Sequence, residues 1–145
     1  MQQTSPLEIG LPVRDLDRMV SFYQTVFSCR EVRRADIPAA LSAGLAAAPD
    51  GYVNVWLQFP GGEVIKLMRP PQTPAVREQT DHLVDRTGLA YFTLYVADIA
   101  EGVSQAEADG ATLLSDRSLL AGSAGVKLGF LRDPEGNVFE LVEQP

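Results

Sequence analysis

The sequence predicts an α+β fold of two tandem βαβββ modules, whose two curved mixed sheets enclose a cavity. Three observations carry that expectation. An alternating run, an aspartate cap and a helical apolar stripe occur in that order twice, beginning at LEIGLPV and at LAYFTLYV. Two later stretches, FPGGEVIKLM (Phe59–Met68) and DPEGNVFELV (Asp133–Val142), match as a Pro-x-Gly turn followed by an alternating strand. The two pairs of markers fall in the same sequence order within 145 residues, a length suited to one ordinary domain or two small units sharing a core.

Taken in order, Leu7–Val13 has the period of two of a half-buried strand, and Asp15 is a good helix N-cap. Met19, Phe22, Tyr23, Val26 and Phe27 then recur at three and four, one face of a helix. CREVRRAD reads as a solvated edge strand, its Arg30, Arg33 and Arg34 being a less favoured meeting point for an anionic substrate. The Ala-rich stretch Pro38–Gly51 holds extra residues that the second half lacks, and is a candidate short helix over a pocket mouth. VNVWLQF (Val53–Phe59) and the run from Val64 to Met68 complete the first module, about 6–70. Residues 69–86, rich in proline and charge, read as a linker. Leu89–Val96, Asp98, an apolar helix through Ile99, Val103 and Ala106 stopping at Gly110, then Gly125–Leu131 and the final strand build the second module, about 87–144.

Composition limits what the protein can do. A net charge of -7 argues against nucleic acid or an anionic membrane as partner. A single cysteine, Cys29, excludes an internal disulfide framework, and with no apolar leader or span the cytoplasm is the expected location. One histidine and one cysteine cannot build a His/Cys zinc cluster. His82 reads as a solvated or loop-capping residue, Cys29 as a small buried hydrophobe, and Gly61-Gly62 as a turn.

The pattern VRDLDRMVSFY, a Pro-Gly hairpin, and a second module ending in FLRDPEGNVFELVE resembles the vicinal oxygen chelate superfamily. That group includes glyoxalase, extradiol dioxygenases, methylmalonyl-CoA epimerase and bleomycin-resistance-type binding proteins, and the resemblance runs from about Leu7 to Glu143. Members that use a metal place His or Gln, Glu, His and Glu on the first and last strands of each module. Carried onto this chain, those positions are Glu8, Lys66, Tyr91 and Glu140. Only Glu140 keeps the residue type. Glu8 and Glu140 remain weak metal candidates, but two carboxylates beside an ammonium make a poor divalent site, so the resemblance implies no metal and no other cofactor.

On this reading Lys66 points into the shared cavity between Glu8 and Glu140, its ammonium standing where relatives hold a metal and kept charged by the carboxylates. In a dry site, losing one member would cost about 3–5 kcal/mol. Tyr91 adds a phenol hydroxyl. Strand parity puts Asn54, Trp56, Met68, Thr93 and Tyr95 on the same cavity-lining faces, as ligand contacts or as core packing.

Three functions compete. The first is a metal-independent isomerase, epimerase or lyase acting on a small carbonyl compound, with Glu140 or Glu8 as base and Lys66 and Tyr91 as oxyanion donors. The second is a protein that sequesters a drug or metabolite without turnover. The third, least supported by the available ligands, is a metal-dependent dioxygenase or glyoxalase. Open sheet edges predict a homodimer, with modules paired within a chain or swapped between chains.

Overall fold

The structure, a computed structural model, describes residues 2–121 and 125–145. The chain divides into two compact units, Met1–Ala75 and Val76–Pro145. Each is a four-stranded mixed sheet with a helix, so the α+β tandem βαβββ plan holds.

The first unit runs β1 (Glu8–Pro12), α1 (Leu16–Phe27), β2 (Arg30–Ile37), α2 (Ala39–Gly44), β3 (Tyr52–Gln58) and β4 (Val64–Arg69). Its sheet order is β1-β4-β3-β2, with β1 parallel to β4 and the other pairs antiparallel. Asp15 caps α1 by accepting from Arg18 N at 3.0 Å, and Ser28, at φ 54°, turns the chain out of the helix. The apolar stripe then packs on β3 and β4: Met19, Phe22 and Tyr23 are fully buried, as are Val55, Leu57 and Leu67. The Ala-rich stretch does hold a short helix, and the arginine-bearing segment is the edge strand β2.

The second unit runs β5 (Phe92–Tyr95), α3 (Ile99–Ala108), β6 (Thr112–Leu113), a 3-10 turn at Arg117–Ala121, β7 (Lys127–Arg132) and β8 (Val138–Glu143). Its order is β5-β8-β7-β6, again with the first and last strands of the unit parallel. Asp98 accepts from Glu101 N at 2.9 Å, repeating the Asp15 cap. The first strand is shorter than Leu89–Val96. Only Phe92–Tyr95 finds ladder partners on β8, so Tyr91 lies just outside it.

Both final hairpins close with the same hydrogen bonds. Phe59 N donates to Glu63 O and Gly62 N to Phe59 O; Asp133 N donates to Asn137 O and Gly136 N to Asp133 O. Gly62 and Gly136 sit at φ 102° and 92°, where a Cβ would be strained. The side chains at the matching corner differ. Phe59 turns its ring to Tyr23 and Phe27, whereas Asp133 accepts from the N–H groups of Glu135 and Asn137 and from Asn137 Nδ2, each at 2.9 Å. One corner is tied to the helix by apolar burial, the other to itself by a carboxylate.

Cys29 is buried, and burial pushes its thiol up to about 12, so it stays protonated near neutral pH. Glu143 ties three elements together. Its Oε1 accepts from Lys127 Nζ at 2.6 Å and its Oε2 from Ile99 N at 2.9 Å, at the start of α3. The Lys127 hydrogen bond, then that of Ile99, holds this carboxyl below the ordinary glutamate value of 4.5. A depressed pKa gives stability that is present above the unfolded value and lost as pH falls through the folded one. Thermal melts should therefore show the wild type losing stability more steeply than Glu143→Gln as pH drops below about 4.5. Parallel pH profiles would show the ion pair contributes nothing.

Candidate functional site

In each unit the candidate site residues lie on the face of the sheet turned away from its helix. On β4, Ile65 and Leu67 are buried, and pleating sends Val64, Lys66 and Met68 to the opposite face. Register puts Lys66 between Gly10 of β1 and Trp56 of β3, and puts Asn54 beside Met68. Lys66 Nζ lies 3.1 Å from Glu8 Oε2, with the two side chains 30% and 42% exposed. The expected pairing of Lys66 with Glu8 is present, but it is not dry. An ion pair this open contributes about 0–1 kcal/mol, not the several expected of a buried one. Both groups are within reach of a ligand.

Trp56 has a second cation. The Arg33 guanidinium of the edge strand stands 4.6 Å from the centre of its ring, reached across the Arg33–Trp56 rung. A bulge between Glu31 and Arg33 sets this register, and no sequence signal marked it. Asn54 is 4% exposed, and its Oδ1 has no donor among the described residues. A buried acceptor left so costs about 1–3 kcal/mol unless a ligand or water supplies the donor. Gly10 leaves room for Met68, whose sulfur would lie 3.3 Å from a Cβ there.

In the second unit Glu140 lies between Thr93 and Phe130 on the ladder, and its Oε2 accepts from the Thr93 hydroxyl at 2.6 Å. Tyr91 packs its ring edge-on against Phe130, centroids 4.8 Å apart. Tyr91 and Tyr95 are 39% and 69% exposed. Thus Glu8, Lys66, Asn54, Trp56 and Met68 share one face of the first sheet; Thr93 and Glu140 are joined in the second, where Tyr91 flanks Phe130. His82 is an exposed loop residue whose backbone N–H donates to Asp85 Oδ2 at 2.9 Å.

The donor chemistry here does not fit a divalent ion. Lys66 has no lone pair to offer while charged, and it occupies one oxygen of Glu8. Among the described residues no three His, Cys, Asp or Glu side chains are grouped to hold a metal. None of their helices is long and apolar enough to cross a membrane.

Comparison with known proteins agrees with the duplicated plan. The profile of the Glyoxalase/Bleomycin resistance protein/Dioxygenase superfamily matches residues 6–141. The chain belongs to this superfamily. Within it, lactoylglutathione lyase GLX1 of Arabidopsis thaliana is 27% identical over 143 residues, which is 95% of this chain and 44% of that protein. The chain therefore spans less than half the length of this curated relative. A glyoxalase family protein from Bacillus cereus superposes with a TM-score of 0.82 at 21% identity, covering 99% of this chain and 95% of that one. The fosfomycin resistance protein FosX from Listeria monocytogenes, solved with Mn(II) and sulfate, gives 0.64 at 16% identity, covering 99% and 95%. At these identities the solved superfamily structures speak for the fold.

Proposed function

We propose that the protein is a metal-independent isomerase, epimerase or lyase that moves a proton beside the carbonyl group of a small organic molecule, with Glu8 and Lys66 as its working pair. The 3.1 Å contact between these two partly exposed groups carries the reading. Lys66 has three N–H donors and commits one direction to Glu8, leaving the others for a substrate oxygen. A proton leaves the carbon for the Glu8 carboxylate, and the electron pair moves to the carbonyl oxygen, where the Lys66 ammonium stabilises the enolate. Return of the proton to the same or a neighbouring carbon completes an isomerisation or epimerisation. Expulsion of a group from the enolate completes a lyase reaction. Trp56, Met68 and Asn54 supply the neighbouring contact surface, Glu140 with Thr93 is the second candidate base, and Tyr91 is a second oxyanion donor. The lactoylglutathione lyase relative supports the lyase member of this set of reactions.

A non-catalytic sequestering role is the second reading, favoured by the Arg33–Trp56 stack, which offers recognition without a base. Exposed sheet edges such as β2 support a homodimer as the assembly. The deciding experiment follows proton exchange at carbon by NMR in D2O, across a panel of hydroxyketones, 2-oxo acids and methylglyoxal hemithioacetals. Exchange that continues undiminished after EDTA treatment and dialysis is the expected result. Activity that returns only with added divalent metal would overturn the reading, and saturable binding with no exchange would favour sequestration.

A further inference from the structure

Arg132 is exceptional among the basic residues. Every other lysine and arginine of the chain has a hydrogen bond, an ion pair or an aromatic ring beneath it. Arg132 closes β7, half-buried, and its guanidinium has no such partner among the described residues. That is unexpected in a chain with 19 acidic and 12 basic residues. An isolated half-buried cation gives up hydration without return, so the missing counterion needs an explanation.

The space beside it supplies one. Arg132 lines a cavity of about 530 Å³, within the range of small-molecule sites. Phe130, Leu83 and Leu114 give it apolar walls, and Ser115 lines it too. Ser115 Oγ already accepts from Phe130 N at 2.8 Å, and its own hydrogen has no acceptor among the described residues. A forked guanidinium and a hydroxyl donor therefore share one cavity with hydrocarbon and an aromatic ring. We infer that this cavity is a binding site for a small organic monocarboxylate with an apolar body, held by Arg132 and Ser115. The planar fork matches a carboxylate in bidentate fashion. Asp81 lines the cavity too, and its charge weighs more heavily against a dianion such as phosphate than against a monocarboxylate. Because β7 alternates, Arg132 shares the face that carries Phe130 and so the face of Glu140, but Glu140 does not line this cavity. Every residue lining it belongs to the second unit, whereas Glu8 and Lys66 belong to the first.

Calorimetric titration of the full chain with benzoate, phenylacetate and indole-3-acetate tests this, with their primary amides and inorganic phosphate as controls. At least one acid should saturate, its amide should bind about tenfold or more weakly, and phosphate should not displace it. Arg132→Gln should weaken the acid about tenfold or more, while Glu140→Gln leaves its affinity unchanged, which keeps this site separable from the proposed chemistry. If the Gln variant does not fold, Arg132→Lys keeps the charge, loses the fork, and should still bind more weakly. Amide resonances of Leu83 and Ser115 should shift on binding. The proposal is overturned if no acid saturates below about 10 mM, if acid and amide bind alike, if phosphate competes, or if the folded Arg132 variant binds as the wild type does.

Discussion

Replacing Lys66 by methionine is expected to lower turnover about 10²–10³-fold while leaving the fold intact, because a donor aimed at a developing oxyanion has an effect of that order. Methionine keeps the length and the apolar stem, so packing beside Trp56 and Gly10 changes little. Glu8, 42% exposed in the pair, can be solvated once its partner is gone, and the stability change should stay within about 1 kcal/mol. The two measurements separate the alternatives. A large fall in turnover with an unchanged melting midpoint assigns Lys66 to the chemistry. A variant as active as the wild type and somewhat more stable would mark the ammonium as a structural remnant, and the proposed mechanism would fail. Glu8→Gln should mirror the loss of turnover, since the amide keeps the shape but cannot take a proton.

The largest stability effect belongs to the helix stripe. Phe22 is fully buried and meets Tyr23 and Phe27 edge-on, with centroids 5.4 and 5.9 Å away. Phe22→Ala removes that ring from a site that the rigid sheet beneath cannot fully collapse into, at an expected cost of about 3–5 kcal/mol. The thermal midpoint should fall by about 10 °C or more. Phe22→Leu, which refills part of the volume, should lose less. A loss under about 1 kcal/mol in chemical denaturation for Phe22→Ala would show that α1 is not held on its sheet by this stripe.

Much of this is legible in the sequence. The aspartate caps, the three-and-four spacing of Met19, Phe22 and Tyr23, and the Pro-x-Gly corners are local rules, each satisfied by neighbours a few residues away. Strand parity is local too, so the faces of Lys66, Trp56 and Glu140 followed from counting residues by two. The limits of β5 were not legible, because a strand ends where its partner stops offering backbone groups, and that partner, β8, lies 47 residues on at the Thr93–Glu140 contact. The Arg33–Trp56 stack was hidden for a similar reason. A bulge shifts register by one residue, and only the pairing of β2 with β3 reveals where.

Local patterning along the chain is enough for the duplicated βαβββ plan and for the superfamily resemblance, which leads one to expect a carboxylate where this chain has Lys66. Long-range packing sets how near Lys66 comes to Glu8 and how wet that pair is, and it leaves the Asn54 acceptor unanswered and Arg132 without a counterion among the described residues. Secondary structure is written in short-range periodicity and capping, which a chain displays along its length. Ion pairing, hydration and orphaned polar groups depend on distances between residues far apart in sequence, which exist only once strands have chosen their neighbours.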